Sequence, residues 1–188
     1  MTLAVAVLAI FAFSGVEGKN YTVVSKTQRI TAPPEGKVLV NFHRVTSYGG
    51  AYIFPIFTLD GKYLCELPGK AEFQYVCSPG EQVFMAWADQ VTVVKADLAP
   101  NKVYDIMVDV GMGMMKANIM LNPMLQDDPR RPRLPEFEER ARLISPERTP
   151  AIEKHEQKAQ KRVADIKRDF LSGTKSDRVK TLGKDDCR

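Results

Sequence analysis

Few residues in this chain have the type and spacing to do chemistry: two histidines, three cysteines, a run of methionines and two aspartates four residues apart. His43 lies beside Asn41 and Arg44 and has the chemistry of a general base or a metal ligand, but the second histidine, His155, falls in a remote helical segment. No Ser/His/Asp triad assembles without arbitrary partners. His43 therefore reads as a surface or rim residue. Asp105 and Asp109 share one strand face, and at ~3.4 Å per residue they stand ~13 to 14 Å apart. That is beyond the ~5 to 9.5 Å of paired glycosidase carboxylates, so both read as solvated face residues. No catalytic residue is assigned, and the chain reads as a non-enzyme.

Six methionines, Met107, Met112, Met114, Met115, Met120 and Met124, fall within eighteen residues, and Met85 is read as a neighbour. Thioethers are soft ligands for Cu(I). Flexible methionines also fill gaps between sheets, and no Met-x-x-Met array converges with a histidine, so packing is the preferred reading and copper binding the lesser one. Cys65 and Cys77 lie in consecutive β-prone runs; if Pro68-Gly69 closes a hairpin, Cys65 faces Gln74 and the two thiols stay unbonded. Cys187, read as exposed and mobile, is the candidate for pairing between chains. No CxxC or His-rich spacing suggests zinc, so no metal ligand and no cofactor are assigned.

The elements that must position these residues are announced by turn signals at roughly ten-residue spacing. They are Pro33-Pro34-Glu35-Gly36, Ser47-Tyr48-Gly49-Gly50, Asp60-Gly61, Pro68-Gly69, Ser78-Pro79-Gly80 and Ala99-Pro100-Asn101. Gly supplies positive φ, Pro presets φ near −65°, and the runs between them are too short for crossover helices. The expected fold is mainly β, an antiparallel two-sheet sandwich of Ig-like or transthyretin-like type, followed by a helical extension. Strands are expected at 21–24, 37–45, 52–59, 62–67, 71–77, 82–88, 91–96, 103–110 and 115–121. Val38, Val40 and Phe42 point one way with Leu39, Asn41 and His43 the other; Tyr104, Ile106, Val108 and Val110 oppose Asp105, Met107 and Asp109. Pro55 implies an edge position or a bulge.

Those motifs occur in a familiar order. Pro34-Glu35-Gly36-Lys37 leads into Val38 to Arg44, followed by Leu59-Asp60-Gly61-Lys62, Ser78-Pro79-Gly80-Glu81 and Leu98-Ala99-Pro100-Asn101-Lys102-Val103-Tyr104. Over about residues 32 to 122 the chain resembles a family of bacterial exported or lipoprotein-type β-domains of unknown function, with a PEGKA, DG, PGEH and AGKxY pattern. The resemblance implies an extracytoplasmic β-sandwich and carries over no catalytic residue. Many relatives have a cysteine after the apolar leader; this chain has none between Met1 and Tyr63, which leaves lipid anchoring unsupported.

The uninterrupted apolar run Leu3 to Phe13 is too short for a spanning helix, which needs ~20 residues, and fits a secretory h-region of ~7 to 15. Residues 1–18 are read as a signal peptide, with a short anchor or a core strand as alternatives, because Met1-Thr2 carries no positive charge. Residues 19–124 form the β-domain and 125–149 a Pro/Arg-rich linker with a short helix over Leu134 to Ile144. An amphipathic helix follows at 150–172, and 173–188 are read as disordered. Residues 1–125 carry ten Lys/Arg against ten Asp/Glu and 126–188 seventeen against thirteen, so the net +4 lies in the second segment. Its basic residues are interleaved with acids and lack aromatic stacking partners, which argues against nucleic acid and allows salt-sensitive contact with an envelope or membrane surface.

The long helix carries a thin apolar stripe, Ile152, Ala159, Val163, Ile166 and Phe170. It would dock on the sandwich, pair with another helix or protrude. Ile152, Val163, Ile166 and Phe170 are accordingly the candidate contacts for self-association or an envelope partner protein. Trp87, Tyr48 and Tyr52 are the candidate platform for a small ligand or carbohydrate. The expected role is an exported, envelope-associated binding or assembly module in the periplasm or outside the cell.

Overall fold

Alternation of apolar and polar residues sets the strands, and the computed structural model describes them in residues 22–24, 28–47, 52–112, 117–146 and 150–188. The leader reading, Tyr48, Met114 and Met115 lie outside the described residues. In chain order the strands are β1 (Thr22–Val24), β2 (Val38–Arg44), β3 (Pro55–Thr58), β4 (Tyr63–Glu66), β5 (Ala71–Cys77), β6 (Gly80–Trp87), β7 (Val91–Leu98), β8 (Val103–Met112) and β9 (Ala117–Pro123). A 3-10 turn at Arg131–Arg133 leads into α1 (Leu134–Arg140), followed by β10 (Arg142–Pro146) and α2 (Pro150–Ile166). The last helix continues as a π-helical turn at Lys167–Leu171, and β11 (Lys180–Leu182) comes after it.

Two sheets result, ordered β1-β10-β5-β2-β8-β9 and β11-β7-β6-β3-β4. Their facing sides form the main core: Val38, Val40 and Phe42 of β2 and Tyr104, Ile106 and Val108 of β8 meet Ile56, Phe84, Val94 and Leu98. Phe42 packs edge-on against Phe84 at 5.2 Å. The architecture is sandwich-like, but both sheets are mixed and the all-antiparallel expectation is corrected. β2 pairs with β8, β5 with β10 and β7 with β11 in parallel. The first of these arises because the chain crosses to the five-stranded sheet for β6 and β7 before returning beside β2. The other two come from strands that the sequence hides inside segments of other character.

The expected hairpin at Pro68-Gly69 does not form: β4 pairs with β3 in one sheet and β5 with β2 in the other. Gly69 is needed there for close approach, since a Cβ would stand 2.9 Å from the Ser47 backbone, and Lys70 takes the left-handed conformation instead. Cys65 and Cys77 are both free and buried in the core, and Cys187 is half-buried against it, not exposed. Pro55 opens β3, an inner strand, and the register slips between Ile56 and Phe57, so a bulge is present and an edge position is not.

The outer face of each sheet is covered mainly by the residues after β9, with residues 28–30 adding to the cover of the six-stranded sheet. On the five-stranded sheet, Phe57, Tyr63, Val83, Met85 and Val93 receive Ile152, Ala159, Val163, Ile166 and Phe170 of the long helix. Each of the larger side chains contributes on the order of 1.5–3 kcal/mol when fully buried, and docking is therefore favoured over protrusion. Glu156 accepts the Tyr63 backbone N–H at 2.8 Å, which covers part of the edge strand β4, while the Gln160 amide donates to Asp60 O at 3.1 Å. Gly61 beneath it has φ +79, which favours glycine, and a Cβ there would have to displace the Gln160 amide 2.6 Å away.

Two further expectations are corrected. The short helix read over Leu134 to Ile144 ends at Arg140, because Ala141 turns extended and Ile144 is drawn into the core as part of β10. Residues 173–188, read as disordered, include β11 with Leu182 buried in the main core, and the segment is tied onward by Arg188 N–H to Val103 O at 2.9 Å. Apolar content in that segment is too sparse to announce a strand.

Candidate functional site

The outer face of the six-stranded sheet carries polar side chains from three adjacent strands. Register sets Asn41 between Gln74 and Asp105, and His43 beside Glu72 on one side and Met107 on the other. Asn41, His43, Glu72 and Asp105 are all 2% exposed or less, so this face is sealed from water. The cover comes from three places: residues 28–30, helix α1, and Arg188.

The hydrogen bonds run as a continuous row. Gln74 exchanges two bonds with the Ile30 backbone, at 2.9 and 2.8 Å, and also donates to Asn41 Oδ1 at 3.1 Å. Asn41 Nδ2 donates to Asp105 Oδ1 at 3.1 Å. His43 Nε2 lies 2.8 Å from the same oxygen. Arg188 grips both oxygens of Asp105 at 2.6 Å each and also binds Glu138 of α1. Arg29 binds Glu72 through Nε at 3.0 and 3.2 Å. Phe137 presents its edge to the His43 ring at 5.7 Å.

Burial of charge is tolerated here because the opposite charges arrive with hydrogen bonds. Burial pushes the Asp105 carboxyl up, but the bonds and charges of Arg188 and His43 outweigh it and hold the group well below the usual carboxylate range. At Glu72 burial wins over Arg29 and His43, and the neighbouring Glu138 adds to it, so that carboxyl lies above its ordinary value. Arg188 loses solvation yet is held more firmly protonated by Asp105 and Glu138.

One atom in this row is left over. His43 Nδ1 is buried without a hydrogen-bond partner and lies 3.9 Å from Glu72 Oε2. Ligand atoms of His43, Glu72 and Glu138 all lie within 4.8 Å of one another, a donor set that could hold a metal ion. The His43–Asp105 contact has the form of the orienting half of a catalytic triad. Among the described residues, the Glu72 carboxylate lies beside the other nitrogen of His43.

Beside the sealed row is an open cleft of about 560 Å³, within the ~300–1,000 Å³ range of small-molecule sites. Val45, Met107, Leu134 and Phe137 supply its apolar lining, and Lys70, Arg130, Arg133 and Arg140 its cationic one. Arg130 is held by Asp128 and lies near Asp109, and Arg140 pairs with Glu136, while Lys70 and Arg133 are exposed.

The residues singled out from sequence fall elsewhere or behave otherwise. His43 and Asp105 are fully buried, not on a rim or in water, because α1 and Arg188 cover the face that the alternation had left open. Asp109 is half-buried and accepts from Asn122 at 2.7 Å. Trp87 stacks on Phe57 at 4.7 Å beside the α2 interface, whereas Tyr52 stacks on Phe54 at 6.5 Å against the main core, so the aromatic pair does not assemble as one platform. Ile152, Val163, Ile166 and Phe170 are buried within the chain itself and offer no surface to a partner. The methionines disperse: Met107 and Met124 pack on Leu134, Met85 lies under α2, and Met112 is 68% exposed.

Glu72, Glu138, Arg29 and Arg188 were not visible as site residues. The available signal was polar alternation in β5, Glu72 and Gln74 between Ala71, Phe73 and Tyr75, matching Asn41 and His43 in β2. No protein-family model matches this chain, and neither a curated protein nor a solved structure matches it.

Proposed function

We propose that this chain is an exported, cell-envelope-associated binding module without catalysis, and that it takes a small amphiphile with an anionic head in the cleft between α1 and the six-stranded sheet. The cleft carries this reading: its apolar lining of Met107, Leu134 and Phe137 suits a hydrocarbon body, and the exposed cations Lys70 and Arg133 suit an anion. Export rests on the Leu3 to Phe13 run and on the resemblance of the turn motifs. The absence of catalysis is supported by the His43–Asp105 contact, whose second nitrogen meets Glu72 in place of a nucleophile.

The test is calorimetric titration of the full chain with dodecyl phosphate and with dodecyl maltoside, both below their micellar concentrations. Saturable binding is expected for the phosphate, and Lys70→Glu with Arg133→Glu should weaken it about tenfold, the ~1.4 kcal/mol that two exposed charge reversals would change. Equal binding of both amphiphiles, or none, would remove the reading. Intact mass of protein from fractionated cells tests the export part separately.

A further inference from the structure

We propose that His43, Glu72 and Glu138 form a binding site for a divalent transition cation of the zinc class, oriented from behind by Asp105. The site is independent of the ligand cleft and stands or falls without it. The first observation is the donor set itself, one imidazole from β2, one carboxylate from β5 and one from α1, with ligand atoms within 4.8 Å of one another. Imidazole with carboxylate is a common donor set for such ions.

The second observation is the buried Nδ1. Asp105 Oδ1 accepts from Nε2 at 2.8 Å, which fixes the imidazole proton on that nitrogen when the ring is neutral and leaves Nδ1 as a bare lone pair. Nδ1 has no hydrogen-bond partner and lies 3.9 Å from a carboxylate oxygen of Glu72. Two electron-rich atoms this close in a dry site repel unless a proton or a metal cation lies between them, and a metal would replace the proton. A carboxylate holding one histidine nitrogen while the other ligates is also the usual outer-shell arrangement at metal sites.

Charge points the same way. Asp105, Glu72 and Glu138 bring three negative charges against two positive from Arg29 and Arg188, which leaves a place for one more positive charge: a proton on His43 in the metal-free chain, or a cation bound to the neutral ring. A cation would cancel the excess. Atoms bound at ~2.1 Å to one tetrahedral ion lie roughly 3.4 Å apart, so closure by about 1 Å is required. Glu138, half-buried on the short helix α1, is the member with room to supply it.

The experiment uses the chelator-stripped full chain titrated with ZnCl₂ by calorimetry, and with Co²⁺ followed by visible absorption. One ion per chain is expected, with a cobalt spectrum lacking a thiolate charge-transfer band and a zinc-dependent rise in Tm. Glu138→Gln should weaken binding by at least about tenfold, Asp105→Asn by ~10- to 100-fold as an orienting residue, and His43→Gln should abolish it. Because His43→Gln removes a buried group, circular dichroism of each metal-free variant accompanies the titration, and Glu138→Gln alone decides if the histidine variant unfolds. No uptake, uptake unaffected by Glu138→Gln, or a thiolate band lost in Cys187→Ser would each overturn the proposal.

Discussion

Replacing Arg188 with Met keeps most of the side-chain volume and removes the guanidinium that holds both oxygens of Asp105 at 2.6 Å. Asp105 is 0% exposed, and without Arg188 its remaining side-chain contacts are Asn41 and His43. Breaking a buried pair from one side leaves an uncompensated charge and costs about 3–5 kcal/mol, against a total stability of ~5–15 kcal/mol for a typical domain. Asp105→Asn removes the charge but leaves the guanidinium paired with Glu138 and 32% exposed, so a smaller loss of about 1–3 kcal/mol is expected. In the double variant neither charge is stranded, and the two losses should fall short of additivity by at least ~1.5 kcal/mol. Equilibrium urea unfolding in the presence of a chelator measures all four corners, with far-UV circular dichroism and Trp87 fluorescence as probes. Additive losses, or an Arg188→Met effect below about 0.5 kcal/mol, the range of ordinary surface substitutions, would refute the idea that this ion pair holds the covered face together.

Two other outcomes follow from the buried helix and from one acidic strand residue. Ile166→Ala should cost about 2–4 kcal/mol through the cavity it leaves against the five-stranded sheet, with no change of mass by light scattering; a change in oligomer without a loss of stability would mean that the stripe serves a partner. Burial raises the Glu66 carboxyl from 4.5 to about 7, so the fold favours its neutral form: that contribution is present below pH 4.5 and is lost as pH rises through 7, by up to about 3 kcal/mol. Glu66→Gln should flatten the loss and melt higher than the parent at pH 8; a lower melt at pH 8 would refute the idea that burial governs this carboxyl.

Strand positions were legible because turn chemistry is local. Asp60-Gly61, Pro79-Gly80 and Asn101 all mark chain reversals, with Gly61, Gly80 and Asn101 at positive φ, and the alternation in β8 sorted Tyr104, Ile106 and Val108 correctly from Asp105 and Met107. Pairing was not legible, because it depends on which runs meet across the chain. β5 and β10 meet with a separation of about seventy residues, and nothing in Arg142 to Pro146 specifies a parallel neighbour. The site was hidden by a related ambiguity. Alternation says that His43 and Asp105 avoid the space between the sheets, but it reads the same whether water or a helix lies outside. Arg29 with Glu72 and Arg188 with Asp105 are contacts across 43 and 83 residues, and no periodicity encodes them.

The order in which the chain emerges during synthesis gives its wrapping a kinetic meaning. The outer face of the five-stranded sheet waits for residues after β9, and on the other face Arg29 can meet Glu72 early while Asp105 waits for Arg188. A chain extruded from its amino end must therefore hold β2 to β9 with apolar and charged outer faces uncovered until residues 131–188 have been made. Parallel pairings of long separation fold slowly, and unfinished sheets are sticky. The natural consequence is that these faces close late in folding, only once residues 131–188 are available to cover them.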